Sequence, residues 1–154
     1  MARLGAAVNI ITTVDGTGPR GLTASAVCSV TDNPPTLLVC INRDSDSNEA
    51  FKASRILCVN TLGAEQEHLS PIFASMTGAS QSERFLPGDW TTLETGAPVL
   101  EGAVVSFDCR ITQMTEVGTH TVFFCQVEAL KMSAETAGLI YFGRAYHRIV
   151  VEAA

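Results

Sequence analysis

Chemistry in this chain has to be built from few parts. Its three histidines are His68, His120 and His147, and its five cysteines are Cys28, Cys40, Cys58, Cys109 and Cys125. His120 follows Gly118 and Thr119 in a turn between two strand-like runs, where an imidazole can hang over the mouth of a barrel. His147 closes the run Tyr141-Phe142-Gly143-Arg144-Ala145-Tyr146-His147. That mixture of aromatic, cationic and imidazole groups suits either stacking on a heterocycle with a phosphate contact, or an ordinary edge strand. His68 falls off the apolar face of a helical stretch and reads as solvated. The cysteines are odd in number, contain no C-x-x-C pair and have no zinc spacing with histidine, so no metal site is expected. Each lies inside an apolar strand-like run, which predicts buried, reduced thiols in a cytosolic protein. There is no G-x-S-x-G, H-E-x-x-H or Walker A sequence, and no motif pairs a nucleophile with a base.

A second candidate is made of small residues. Thr23, Ser25 and Ser29 share one parity, while Leu22, Ala24, Ala26, Cys28 and Val30 share the other. Such a stripe lets a flat ligand approach the main chain and offers hydroxyls to its oxygens; it equally fits the solvent face of a strand. Ser45, Ser47 and Asn48 stand at the start of a predicted short helix, where free N–H groups form either a phosphate seat or plain capping. Asp44 and Asp46 would oppose a phosphate there unless they point away. Gly16-Thr17-Gly18-Pro19-Arg20-Gly21 fits G-x-G-x-x-G by letter. The dinucleotide mechanism needs a helix after that loop, and strand-like sequence follows instead, so it reads as a hairpin turn.

The elements that must position these residues alternate at the period of strands. Residues 6–14 and 20–31 read as a hairpin about the Asp15–Pro19 turn, and Asn33-Pro34-Pro35 precedes a third strand at 36–42. A short helix over 45–54 buries Phe51, and a fourth strand follows at 55–62. Leu69, Ile72, Phe73 and Met76 then share one helical face, with Ser70 before Pro71 as an N-cap or kink. Residues 77–102 read as a long ordered loop anchored by Phe85 and Trp90. Strands return at 103–112, 121–130, 139–142 and into the run after Tyr146. In the first of these, Val105, Phe107, Cys109 and Ile111 share one face while Ser106, Asp108 and Arg110 share the other. The fold class is therefore mainly β: a closed antiparallel barrel with two or so helical insertions, in one domain over 1–154.

Composition narrows the partners. A net charge of −6 argues against nucleic acid and acidic membrane surfaces, and no apolar run is long enough to span a bilayer. Hydrophobic residues reach 46%, enough that a partner subunit is expected to cover part of the surface.

The stretches GAAVNIITT (5–13), GLTASAVCSVTDNPPTLLVCINR (21–43), LCVNTL (57–62) with Gln66 after it, VSFDCRI (105–111), VGTH (117–120) and GLIYFGRAYH (138–147) occur in order along nearly the whole chain. Together they resemble the short-chain flavin reductases of two-component monooxygenase systems. The resemblance implies an FMN-binding split β-barrel, Greek-key-like and homodimeric, with the helical stretch ahead of the first strand shortened. It implies that NADH, or NADPH, reduces FMN or FAD, and that the reduced flavin passes to a separate flavin-dependent monooxygenase in the cytoplasm. Carried over by position, Thr23, Ala24 and Ser25 would line the flavin, with Ser29, Val30 and Thr31 beside it. Ser45 and Asn48 would meet the phosphate, and Asn60, Thr61 and Leu62 would offer main-chain groups to the isoalloxazine edge. Gly118 and the catalytic candidate His120 belong to a G-T-H turn where relatives often read G-D-H, near the nicotinamide nucleotide. Arg144, Tyr146 and His147 would lie on the nicotinamide side. Hydride transfer between two bound cofactors needs no side-chain nucleophile, in keeping with the motifs that are missing. Two other readings share the barrel: a non-catalytic flavin- or haem-binding module, and an oxidase resembling the pyridoxamine-phosphate oxidases. The latter needs a cationic phosphate pocket, for which ten Lys and Arg are thinly spread.

Overall fold

The structure, a computed structural model, describes residues 1–134 and 137–152. The β-branched runs become strands β1 (Ala6–Ala7), β2 (Asn9–Asp15), β3 (Gly18–Ala24), β4 (Val27–Asp32) and β5 (Pro35–Asn42), followed by helix α1 (Asn48–Ser54) and strand β6 (Ile56–Thr61). A 3-10 turn at Ala64–Gln66 leads to α2 (Leu69–Phe73), α3 (Gln81–Arg84), β7 (Trp90–Thr91) and β8 (Val99–Leu100). The long strands β9 (Val105–Val117) and β10 (His120–Met132) precede β11 (Ala137–Phe142) and β12 (Ala145–Val150). No helix is long and apolar enough to cross a membrane among the described residues.

Seven strands form one antiparallel sheet in the order β3-β2-β6-β9-β10-β5-β4. Its two edge strands, β3 and β4, are separated in sequence only by Ser25 and Ala26. Laid flat, the sheet would hold its edges about 29 Å apart, at ~4.8 Å per strand step. The three Cα steps from Ala24 to Val27 reach about 11 Å at most. The sheet therefore curls into a barrel, around Ile11, Val39, Ile41, Leu57, Val59, Phe123 and the Phe51 that α1 contributes. No ladder joins β3 to β4, so the barrel is split along that seam. β1, β11 and β12 form a separate three-stranded sheet over a second core that includes Ile10, Leu62, Leu69, Phe73 and Leu139. The mainly β split barrel expected from the sequence is the fold observed.

Closure changes several local expectations. The run 20–31 is two strands, not one, because the chain crosses the seam at Ser25–Ala26. The Gly16–Gly21 letters lie on the β2–β3 hairpin, where Asp15 accepts from the Thr17 N–H (2.7 Å) and hydroxyl (2.6 Å) and pairs with Arg20. Those Thr17 bonds, then Arg20, hold the Asp15 carboxyl down at about 2. The helix expected over 69–76 stops at Phe73; Ser75 takes a φ of 61° and Met76 is left 74% exposed. Ser70 sits inside α2 rather than capping it, and Pro71 occupies the first turn, where its missing N–H is not needed.

Residues 77–102 hold more order than a loop. Ser80 and Glu83 cap α3 reciprocally, and Phe73, Phe85 and Trp90 pack ring on ring at 4.8–5.7 Å. The segment lies over the outer face of β6 and β9, packing Ala97 and Val99 against Cys58. That cover buries Ser106 and Asp108, on the polar face of β9. Asp108 accepts from the Thr95 N–H at 2.8 Å and from the Thr95 hydroxyl. All five cysteines are free; Cys58, Cys109 and Cys125 are buried as expected, Cys40 is half-buried and Cys28 is exposed. Cys28 departs from the expectation because β4 is an edge strand open to solvent on both faces.

The free edge of β3 is sealed by side chains from α3. Gln81 Oε1 accepts from the Gly21 N–H (2.9 Å) and Arg84 donates to the Gly21 carbonyl (3.0 Å). A Cβ at Gly21 would come within 2.8 Å of the Phe73 ring, which Phe85 and Trp90 hold in place. Gly21→Ala is therefore expected to cost about 1–3 kcal/mol by overpacking, read as a lower denaturant midpoint. An unchanged midpoint would show that the ring can retreat.

Candidate functional site

Where the seam is not sealed it opens into a cleft of about 580 Å³, within the usual range for a small-molecule site. One wall is the crossing itself, Thr23-Ala24-Ser25-Ala26; a second is the end of β5 and the turn after it, with Cys40, Asn42, Asp44, Ser45 and Asp46. Phe73, Ala74 and Ser75 form a third wall, and His120 completes the lining. Ala24 packs into the barrel core and Ala26 is exposed, and neither projects a long side chain across the cleft. The Thr23 hydroxyl is already used: it donates to the Ser70 carbonyl at 2.7 Å. Ser45 accepts from the Ser47 N–H at 3.3 Å and keeps its own proton.

His120 is held by a clamp that spans elements distant in sequence. Its strand partners are Val117 on β9 and Asn42 on β5. Next to Asn42, Arg43 donates its N–H to the Thr119 carbonyl (2.9 Å) and its guanidinium to the Gly118 carbonyl (3.3 Å) and Glu116 (2.9 Å). Glu116 also takes Lys52 at 2.8 Å and the Thr121 hydroxyl at 3.0 Å, and Thr121 accepts from the buried amide of Asn48 at 3.1 Å. Lys52 first, then Thr121 and the two cations' fields, keep the Glu116 carboxyl below its ordinary value. The His120 Nδ1 shares a 2.8 Å hydrogen bond with the Thr119 hydroxyl, which leaves Nε2 for a ligand.

Charge in the cleft is one-sided. Asp44 and Asp46 line it, and no lysine or arginine does among the described residues. Gln81 holds both Asp46 oxygens, at 3.0 and 3.1 Å. Among the described residues no group of three or more His, Cys, Asp or Glu is placed to hold a metal ion.

Of the residues singled out in the sequence, Thr23, Ala24, Ser25, Ser45 and His120 meet in this cleft. The others do not. Ser29, Val30 and Thr31 lie beyond the crossing on exposed β4. Asn48 is buried at the start of α1, its amide donating to the Ile41 and Asn42 carbonyls. Asn60 is a structural hub: it donates to the Ile10 carbonyl (3.1 Å) and accepts from the Leu100 N–H and the Ser106 hydroxyl (2.8 Å each). Thr61 donates to Asn9 and Leu62 sits in the second core. Strand β6 runs between β2 and β9, so the main chain of Asn60 and Thr61 is engaged in ladders on both sides. Gly118 lies in the β9–β10 turn beside a smaller polar hollow with Arg43 and Lys52. Arg144, Tyr146 and His147 belong to the β11–β12 hairpin of the smaller sheet, where Tyr146 meets the Ser70 hydroxyl at 2.8 Å and His147 meets the Phe142 carbonyl at 3.0 Å. Sequence reasoning missed Cys40, Asp44, Asp46 and Phe73–Ser75 as lining. Asp44 and Asp46 were visible as neighbours of Ser45; the α2 end had no local signal, since it reaches the cleft only through packing.

Comparison with known proteins places this geometry. The family described as "Flavin reductase like domain" matches residues 1–150. The FMN reductase (NADH) RutF of Serratia proteamaculans is 56% identical over 97% of this chain and 85% of its own length. A structure from Haemophilus somnus described as a candidate flavin reductase is 51% identical, with a TM-score of 0.93 over 97% of this chain and 94% of that one. A homologue of nitrilotriacetate monooxygenase component B from Mycobacterium thermoresistibile is 29% identical, with a TM-score of 0.87 over 96% of this chain and 82% of that one. A family match over residues 1–150 and 56% identity to a relative over nearly the whole chain show that this chain belongs to the flavin reductase-like family.

Proposed function

We propose that the seam cleft binds FMN and that the chain is an NADH-dependent FMN reductase. The observation that carries this is the cleft at the barrel's split, walled by the small residues of the β3–β4 crossing and overhung by His120. The residues present fit a flavin: Ala24 and Ala26 leave room for a flat ring, and Ser25 and Ser45 bring hydroxyls to polar substituents. The 56% identical relative bears the name of an NADH-dependent FMN reductase, which favours FMN over FAD and NADH over NADPH here.

When bound, the flavin supplies the electron sink for a hydride from the nicotinamide ring. The chain's own work is positioning, which alone can contribute several orders of magnitude. Thr23 fixes the α2 wall through Ser70, Ala24 and Ala26 keep the floor open, and Arg43 with Glu116 holds the turn that presents His120. His120 is assigned to the nicotinamide side, its Nε2 free to bond the second nucleotide. The partner that would receive reduced flavin is a flavin-dependent monooxygenase, supported by the likeness to a monooxygenase component B. The exposed β4 edge beside the cleft is a ready pairing surface, which supports the homodimer; three buried reduced thiols suit a cytoplasmic setting.

NADH oxidation should depend on added flavin and be fastest with FMN among FMN, FAD and riboflavin; binding of FMN without NADH oxidation would instead favour a non-catalytic carrier. His120→Ala should lower kcat/KM for NADH by about tenfold or more while FMN affinity stays within about twofold. Equal turnover by variant and wild type would remove His120 from the reaction. A chemical footprint tests the cleft itself. Iodoacetamide should label Cys40 in the folded protein several-fold more slowly with FMN present, by peptide mass spectrometry. Cys58, Cys109 and Cys125 should stay unlabelled until unfolding, since burial pushes their thiols up, Cys125 to about 12. Labelling of Cys40 indifferent to FMN would move the flavin elsewhere.

A further inference from the structure

The third wall of the cleft, Phe73–Ser75, ends a helix of only five residues, too short to keep its shape without outside support. That support converges on Ser70. Its carbonyl accepts from the Ala74 N–H (3.0 Å), the bond that leads the chain into the wall, and from the Thr23 hydroxyl on the barrel's edge strand (2.7 Å). Its own hydroxyl shares a 2.8 Å hydrogen bond with the hydroxyl of Tyr146, which comes from β12, the edge of the smaller sheet. Ser70 is 1% exposed, so water is poorly placed to replace Tyr146 as its partner. Tyr146 is itself fixed: it stands opposite Tyr141 on β11, the two rings meet edge-on at 5.2 Å, and both pack against the second core, which includes Leu69 and Phe73. Arg84 holds the far end of the wall by donating to the Ser75 hydroxyl at 2.8 Å. Tyr146 does not line the cleft, so it reaches the site only through what it holds.

We infer that Tyr146 is a positioning residue for the cleft: from the smaller sheet, through Ser70, it sets where the Phe73–Ser75 wall stands against a bound flavin. The inference rests on the flavin reading above and assigns Tyr146 to the wall rather than to the nicotinamide. Two separate sheets grip one residue, the barrel through Thr23 and the smaller sheet through Tyr146, and the wall hangs from that grip. Without the phenol hydroxyl, the buried Ser70 hydroxyl turns back on a carbonyl of the preceding turn, a bond that bends helices, and the wall moves with the helix.

Tyr146→Phe keeps the ring and its packing and removes only the hydroxyl; Ser70→Ala removes the other half of the same bond. Amide hydrogen exchange on the flavin-free protein reads the wall directly. The Ala74 N–H should exchange about three- to tenfold faster in either variant, while amides of the β6–β9 ladder keep their wild-type rates. The FMN Kd, from flavin fluorescence, should rise about three- to tenfold in each single variant and no further in the double variant, since both changes remove one bond. FMN bound at saturation should show visible absorption maxima displaced from wild type in all three. Faster exchange with an unchanged Kd and spectrum, or losses that add in the double variant, makes Tyr146 structural only and overturns the inference while leaving the flavin reading intact. An Ala74 amide that exchanges at the wild-type rate does the same. A wild type that binds no FMN overturns both.

Discussion

Two residues, Ser25 and Ala26, connect strands that stand at opposite edges of a seven-stranded sheet. A link that short forces the sheet to curl until its edges nearly meet, and the inner face then closes over Phe51, Phe123 and the aliphatic core. The same link prevents the edges from pairing, because the chain has to pass between them. The barrel is left with a seam. At one end of it Gln81 and Arg84 occupy the bonds that a neighbouring strand would have made to Gly21. At the other end no side chain among the described residues seals the seam, and the cleft follows.

Much of this was legible from residue patterns. Residue patterns give the strands, the Asp15–Pro19 turn and the buried Phe51, and they point to the hydroxyls of Thr23, Ser25 and Ser45. The continuous strand over 20–31 was the main misreading. Its residues alternate as one strand does, but the seam splits them, which sent Ser29, Val30 and Thr31 to an open edge while Ser25 stayed at the cleft. The burial of Asp108 was hidden for a similar reason: alternation sorts a strand into two faces but does not reveal that residues 77–102 return to cover the second.

Other features were out of reach because they are made by contacts between distant residues. Asn60 joins β2, β6, β9 and the covering segment through one amide, and Arg43 holds the turn of His120 from another strand altogether. Neither residue type announces such a role. Ser75 is a further case: its left-handed backbone and its bond to a buried guanidinium exist only once α3 has docked on β3.

The missing ladder along the seam bears on traffic through the barrel. In a closed barrel every amide on the wall is committed to a neighbour, so widening the wall means breaking main-chain bonds one after another. Here reaching the cleft beside Ser25 and Ala26 breaks no ladder, because none crosses between β3 and β4. A continuous set of strand ladders and an opening in the wall are therefore compatible in one barrel.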